Sequence, residues 1–168
     1  MLELVIGGAR SGKSAYAEQC AKHSQREVLY IATATAEDHE MQQRISHHKN
    51  IRPVDWQTIE EPIHLSKAVL AKPEAFVIVD CLTLWMTNIL ALDKKQYENE
   101  MAQFFTAIDN NTTPIIFVTN EIGMGVVPLG EETRRFVDET GRLHQRLARL
   151  CQRVTQMIAG IENRIKDE

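Results

Sequence analysis

Short apolar runs alternate along the chain with longer segments in which apolar residues recur every three or four positions. The runs have the length of β-strands and cover Leu2 to Ile6, Val28 to Ala32, Phe76 to Val79 and Pro114 to Val118. The longer segments have the period of amphipathic helices and cover Lys13 to His23, Glu37 to Asn50, Leu82 to Leu92 and Tyr97 to Asp109. This alternation predicts an α/β fold in which a mostly parallel sheet has helices on both faces.

Four weaker elements complete the prediction. They are a short strand at Trp56 to Ile59, a helix beginning after Pro62, a long helix at Glu131 to Cys151 and a last, weakly apolar strand at Val154 to Ile161. The long helix follows a glycine-rich turn at Gly123 to Gly130. Because no repeat, low-complexity tract or long linker divides the chain, we expect residues 1–168 to form a single domain.

Composition narrows the classes of function. With 19 Lys and Arg residues against 23 Asp and Glu residues, the net charge of −4 gives no general attraction for a phosphate backbone, so we expect no nucleic-acid partner. No apolar run is long enough for a membrane span. The three cysteines are widely spaced and odd in number, which favours buried thiols in a reducing compartment. We therefore expect a cytoplasmic protein.

The segment that joins the first predicted strand to the first predicted helix has the pattern of a phosphate-binding loop. It reads G-x-x-x-x-G-K-[ST] and consists of Gly7, Gly8, Ala9, Arg10, Ser11, Gly12, Lys13 and Ser14. Glycines let backbone N–H groups surround phosphate oxygens, and the helix N-terminus adds its positive dipole end. Lys13 is expected to neutralise phosphate charge and Ser14 to ligate Mg²⁺. The pattern predicts a P-loop NTPase-type domain, whereas a plain glycine turn before a helix is the simpler alternative.

Polar residues follow each of the first four strands, at the edge of the sheet where parallel α/β folds bind ligands. Thr33, Ala34 and Thr35 follow the second strand, and Asp80 closes the third. Asp80 stands where phosphate-loop proteins hold their metal ion, although capping of the helix at Leu82 is the alternative. Glu121 follows the fourth strand, and either ligand positioning or simple solvation would suit it.

Two adjacent histidines, His47 and His48, lie on the predicted helix Glu37 to Asn50, where their side chains point about 100° apart. That spacing does not suit a shared metal ion. A neutral imidazole is a competent nucleophile near pH 7, and attack on the α-phosphate of a nucleotide would release pyrophosphate. A solvated histidine beside a half-buried one is the simpler interpretation.

Together these segments resemble the bifunctional adenosylcobinamide kinase/adenosylcobinamide-phosphate guanylyltransferase family. The matching segments are GGARSGKS at Gly7, LYIATAT at Leu29, RISHHKNIRP at Arg44, VDCLTLWMTNIL at Val79, VTNEIGMGVVP at Val118 and TGRLHQRLA at Thr140. The resemblance spans nearly the whole chain in order. The phosphate loop alone would indicate only a nucleotide-binding protein. The histidine pair and the TNEIGMG segment are what indicate this particular family.

The resemblance implies two reactions with ATP and GTP as substrates, and Mg²⁺ is the metal that the phosphate loop itself predicts. Adenosylcobinamide is phosphorylated, and GMP is then transferred from GTP through a GMP-histidine intermediate, for which His47 matches the family's guanylylated residue. Beyond the phosphate loop, the family's nucleotide-binding positions correspond to Thr33, Ala34, Thr35, Asn50, Ile51, Arg52, Pro53, Glu60 and Asp80. The family also implies a homo-oligomer, specifically a trimer.

Two other functions are compatible with the phosphate loop. A single-activity kinase for a small molecule would leave His47 without a covalent role. A nucleotide-dependent interaction module would hydrolyse nucleotide in response to a macromolecule, and the acidic charge balance argues against DNA or RNA as that macromolecule.

Overall fold

The structure is a computed structural model that describes residues 1–35 and 53–168. The strands in these ranges form one seven-stranded sheet in the order β3-β2-β4-β5-β1-β6-β7. Six strands pair in parallel, and β7 pairs antiparallel with β6. The strands are β1 at Leu2–Gly7, β2 at Val28–Ala32, β3 at Gln57–Glu60, β4 at Phe76–Asp80, β5 at Ile115–Asn120, β6 at Arg153–Ile158 and β7 at Ile161–Asp167.

Helices cover both faces of the sheet, which confirms the predicted fold class. They are α1 at Lys13–His23, α2 at Leu65–Ala68, α3 at Leu82–Leu90, α4 at Lys94–Asp109 and α5 at Glu131–Leu150. The helix predicted at Glu37 to Asn50 lies outside the described residues. Within the described ranges, no helix has both the length and the apolarity that a bilayer crossing requires.

Two apolar clusters fill the space between the sheet and its helices. The α1 face packs Tyr16, Ala17 and Ala21 against side chains of the central strands such as Ile116 and Val118. The opposite face packs α2 to α5 against the sheet and includes Trp85 and Phe104, whose ring centroids are 4.7 Å apart. Because the central strands are buried on both faces, their sequences are continuous apolar runs, which is why the first four strand predictions succeeded.

The helix predicted from Tyr97 begins three residues earlier, because Asp93 caps it. Its carboxylate accepts a hydrogen bond from the Gln96 backbone N–H at 2.9 Å, and the Gln96 side chain accepts one from the Asp93 N–H at 3.4 Å. This reciprocal capping box satisfies two amide groups at the helix start. The short strand predicted at Trp56 to Ile59 is found as β3, one residue later.

The strand predicted at Val154 to Ile161 is found as β6, but it ends at Ile158 and is not the last strand. The segment belongs to a β-hairpin, in which Ala159 and Gly160 form the turn and the charged tail forms β7. Both turn residues have positive φ, 51° and 81°, as a tight two-residue hairpin turn requires. The sequence of β7 shows no apolar alternation, because an exposed edge strand tolerates charged residues on both faces.

Candidate active site

The phosphate loop lies between β1 and α1 and turns through two residues in left-handed conformations, Arg10 with φ 56° and Gly12 with φ 97°. Gly12 suits this conformation because glycine has no Cβ to collide with the backbone. The Ser11 N–H donates to Gly8 O at 3.3 Å, and α1 begins at Lys13. The first amide groups of a helix lack partners within it, so the loop and the start of α1 form a site suited to phosphate.

Lys13 is held inside this loop. Its side chain is only 7% exposed, and its Nζ donates to the Gly8 carbonyl at 2.6 Å. Burial lowers the pKa of the Lys13 ammonium, and the nearby Asp80 carboxylate opposes that shift. The Lys13 ammonium therefore lies inside the loop, where a phosphate oxygen can replace the Gly8 carbonyl as its hydrogen-bond acceptor.

Ser14 and Asp80 are brought together across the sheet. The Ser14 hydroxyl donates to Asp80 Oδ2 at 2.7 Å, although the two residues are 66 positions apart in the sequence. The cap of α3 is Cys81, so Asp80 does not cap that helix. A hydroxyl and a carboxylate in contact at the end of a phosphate loop are the hard oxygen donors that Mg²⁺ prefers, so the residues fit this metal.

Thr33 fixes the backbone that follows Asp80. Its hydroxyl accepts from the Cys81 N–H at 2.8 Å and donates to the Cys81 carbonyl at 2.7 Å. Asn88 holds the Thr33 carbonyl from α3 at 2.9 Å. Thr33 is fully buried, Ala34 is half-buried and Thr35 is exposed. Of these three predicted nucleotide-binding residues, Thr33 is the one whose side chain faces the protein interior.

Of the remaining predicted contacts, Pro53 and Glu60 lie in the described residues, and Glu60 is far from the phosphate loop. Glu60 ends β3, which is four strand spacings from β1, so about 19 Å separates their ends in the sheet. Pro53 is half-buried, and its carbonyl accepts from the Trp56 N–H at 3.1 Å. His47, Asn50, Ile51 and Arg52 lie outside the described residues.

Tyr30 is part of this cluster, although sequence reasoning did not identify it. Its hydroxyl donates to Asp80 Oδ2 at 2.6 Å from the neighbouring strand β2. Residues two positions apart on a strand share a face, and Ala32 is in register with Asp80. The signal was a tyrosine two residues before the end of an apolar strand, but its use depends on a strand pairing that one sequence does not reveal.

The C-terminal hairpin supports the loop from the other side. The Gly160 N–H donates to Ser11 O at 3.0 Å. A Cβ on Gly12 would lie 3.2 Å from the Gly160 Cα, so the turn and the loop approach closely. The Ser11 hydroxyl is buried and has no hydrogen-bond partner among residues 1–35 and 53–168. The hairpin therefore fixes the shape of the phosphate loop.

A polar cluster lies at the end of β5, beside the loop. The Glu121 N–H donates to Gly7 O at 3.0 Å, while the Glu121 carboxylate accepts from the Gly123 N–H at 2.5 Å. Behind it, the Thr119 hydroxyl lies 2.8 Å from His144 Nε2, and burial lowers the pKa of that imidazole. The Glu121 carboxylate is thus turned toward its own loop.

Comparison with known proteins identifies the family. Residues 3–165 match the model of CobU, cobinamide kinase / cobinamide phosphate guanyltransferase. The chain belongs to this family. It is 47% identical over 171 residues to the bifunctional adenosylcobalamin biosynthesis protein CobP of Pseudomonas aeruginosa, covering 100% of this chain and 99% of that protein. It is 37% identical over 182 residues to the protein CobU of Salmonella typhimurium, which is described by the same function, covering 99% of this chain and 100% of that protein.

The resemblance found in the sequence is thereby confirmed. Among solved structures, the fold resembles the flagellar accessory protein FlaH of Methanocaldococcus jannaschii, with a TM-score of 0.53 and 15% identity. The match covers 99% of this chain and 78% of FlaH. At this identity the likeness concerns the fold alone.

Proposed function

We propose that this protein phosphorylates adenosylcobinamide with ATP or GTP and then transfers GMP from GTP to the phosphorylated product. The second reaction yields adenosylcobinamide-GDP and pyrophosphate. The observation that carries the proposal is the contact between Ser14 and Asp80 at the phosphate loop, in a chain that the family model matches over residues 3–165. A loop built in this way can stabilise either a transferred γ-phosphoryl group or a departing pyrophosphate.

In the kinase step, the acceptor hydroxyl attacks the γ-phosphorus, and the bond to the β-phosphate oxygen breaks. Lys13 exchanges the Gly8 carbonyl for phosphate oxygens and neutralises the charge that develops on them. Backbone N–H groups of the loop and of the start of α1 bind the β-phosphate. The proton of the acceptor hydroxyl is released as the new phosphate ester forms.

In the transfer step, a His47 ring nitrogen attacks the α-phosphorus of GTP. The bond between the α-phosphorus and the bridging oxygen breaks, and pyrophosphate leaves from the same loop that binds the β- and γ-phosphates. A phosphate oxygen of the acceptor then attacks the GMP phosphorus, and the phosphorus–nitrogen bond breaks. His47 is restored, and the acceptor gains GMP.

Ser14 and Asp80 are the residues that would hold Mg²⁺, which when bound polarises phosphate oxygens and offsets their charge. The other nucleotide contacts we propose are the rest of the loop and the positions taken from the family resemblance. Those positions are Thr33, Ala34, Thr35, Asn50, Ile51, Arg52, Pro53 and Glu60. In this assignment Thr33 shapes the site, because its hydroxyl bonds Cys81, its N–H donates to the Asp80 carbonyl and its carbonyl accepts from Asn88.

We also propose a cytoplasmic homo-oligomer. Cys20, Cys81 and Cys151 are all free thiols, as a reducing compartment favours. The family resemblance supports the trimer.

The experiment that tests the function supplies purified protein with adenosylcobinamide and GTP labelled on either the γ- or the α-phosphorus. The proposal predicts that γ-label and α-label both reach the corrinoid. For His47→Ala we expect γ-label alone on the acceptor, because phosphorylation does not need the imidazole. Transfer of γ-label only by the parent protein would indicate a single-activity kinase, and parent-level α-label transfer by His47→Ala would exclude the histidine route.

A further inference from the structure

The Asp80 carboxylate is held by two hydroxyls that converge on one oxygen. Ser14 donates to Oδ2 at 2.7 Å from α1, and Tyr30 donates to the same atom at 2.6 Å from β2. Hydrogen bonds this short to a charged acceptor are stronger than neutral ones. The carboxylate is therefore fixed at Oδ2, and the part of the chain that the structure describes leaves its other oxygen available to bind a ligand.

The two hydroxyls differ in what they can do. Ser14 belongs to the phosphate loop, and its oxygen is itself a donor suited to the metal. Tyr30 is 1% exposed, and its ring packs within the apolar cluster on the α1 face, with Ile78 and Ile116 among its members. A packed ring cannot follow a moving carboxylate, so Tyr30 provides a fixed point for Asp80.

We propose that Tyr30 is a positioning residue that sets the orientation of the Asp80 carboxylate toward a divalent cation at the phosphate loop. This inference rests on the proposed function, in which Ser14 and Asp80 hold Mg²⁺. Tyr30 acts through Asp80 and does not touch the substrate phosphates in this assignment. Partners that orient a metal ligand in this way commonly contribute 10- to 100-fold to metal affinity.

The test variant is Tyr30→Phe, which removes the hydroxyl and retains the ring. The chain also offers a matched control in Tyr16, on the same face of the sheet. The Tyr16 hydroxyl donates to the buried carboxylate of Glu3 at 2.9 Å, and it is 13 residues from its partner in sequence. Tyr16→Phe therefore removes the same group from a buried tyrosine–carboxylate pair that is outside the site.

The measurement is GDP affinity, first with EDTA and then as Mg²⁺ is titrated. For Tyr30→Phe we expect metal-free GDP affinity within about twofold of the parent and a Mg²⁺ midpoint about tenfold higher. Tyr16→Phe is expected to match the parent in both. Asp80→Asn is expected to remove the effect of Mg²⁺ on GDP affinity.

Each other result has a distinct meaning. If the Mg²⁺ midpoint of Tyr30→Phe is unchanged or lower while Asp80→Asn loses the effect of Mg²⁺ on GDP affinity, the role of Tyr30 is overturned and the metal site stands. An Asp80→Asn protein with normal Mg²⁺ dependence overturns the proposed metal site instead. Equal losses of GDP affinity with and without Mg²⁺ would mean that Tyr30 is purely structural. A Tyr30→Phe protein that shows no cooperative unfolding transition, even at low temperature, would mean the same.

Discussion

The two glycines that open the phosphate loop should respond very differently to replacement by alanine. Gly7 is buried between β5 and β6, in register with Asn120 and Met157. A Cβ added there would lie 2.4 Å from the Met157 carbonyl oxygen and 2.7 Å from Ser11 Oγ. A Cβ on Gly8 would meet nothing within 4 Å. Neither glycine has positive φ, so the comparison isolates the steric effect.

The size of the effect follows from which atoms must move. Ser11 Oγ can rotate away, but the Met157 carbonyl belongs to a strand paired on both sides. Relieving the contact therefore requires β1 and β6 to separate locally. Overpacking of this kind costs about 3 kcal/mol in free energy of unfolding. For a chain of this length, that corresponds to a fall in Tm of about 6–12 °C.

The assay is urea unfolding and thermal unfolding of nucleotide-free protein, followed by circular dichroism. Gly7→Ala should lose about 3 kcal/mol in free energy of unfolding. Gly8→Ala should stay within about 0.5 kcal/mol of the parent, as substitutions without steric conflict usually do. Equal stability of the two variants would refute the reasoning. So would a larger loss for Gly8→Ala.

Two further predictions concern stability. Burial raises the pKa of both Cys81 and Cys151 to about 12, from an ordinary value near 9. The folded protein keeps these protons where the unfolded chain releases them, so stability should fall as pH rises from 9 toward 12. Cys151→Ala should lose less stability than the parent between pH 7.5 and pH 10 in urea unfolding, and parallel losses would contradict this. Asp93→Ala removes the capping box of α4 and should cost about 1 kcal/mol, with Asp93→Asn costing less than half of that in the same assay.

The parts of the site that could be predicted from sequence are those determined locally. The phosphate loop follows from its own spacing, and Asp80 follows from its place at the end of an apolar strand. Ser14 and Asp80 were assigned to one metal site because parallel strands bring their carboxyl ends to one edge, and their direct contact was not part of that prediction. Neither prediction needed the order of the strands.

The parts that could not be predicted depend on pairing between distant segments. Tyr30 reaches Asp80 only because β2 lies beside β4 in one particular register. Glu60 lies far from the phosphate loop because β3 occupies the outer edge of the sheet. The strand β7 has too many charged residues to show an apolar period, yet it pairs along its length with β6.

The central claim is that one phosphate loop serves both γ-phosphoryl transfer and guanylyl transfer through His47. Its most direct test is the intact mass of the protein after incubation with GTP and Mg²⁺ but no acceptor, followed by acid treatment. We expect one GMP adduct on the parent and on the matched control His48→Ala, lost in acid, and no adduct on His47→Ala. Absence of the adduct from folded, GTP-binding parent protein, or its persistence on His47→Ala, would contradict the account.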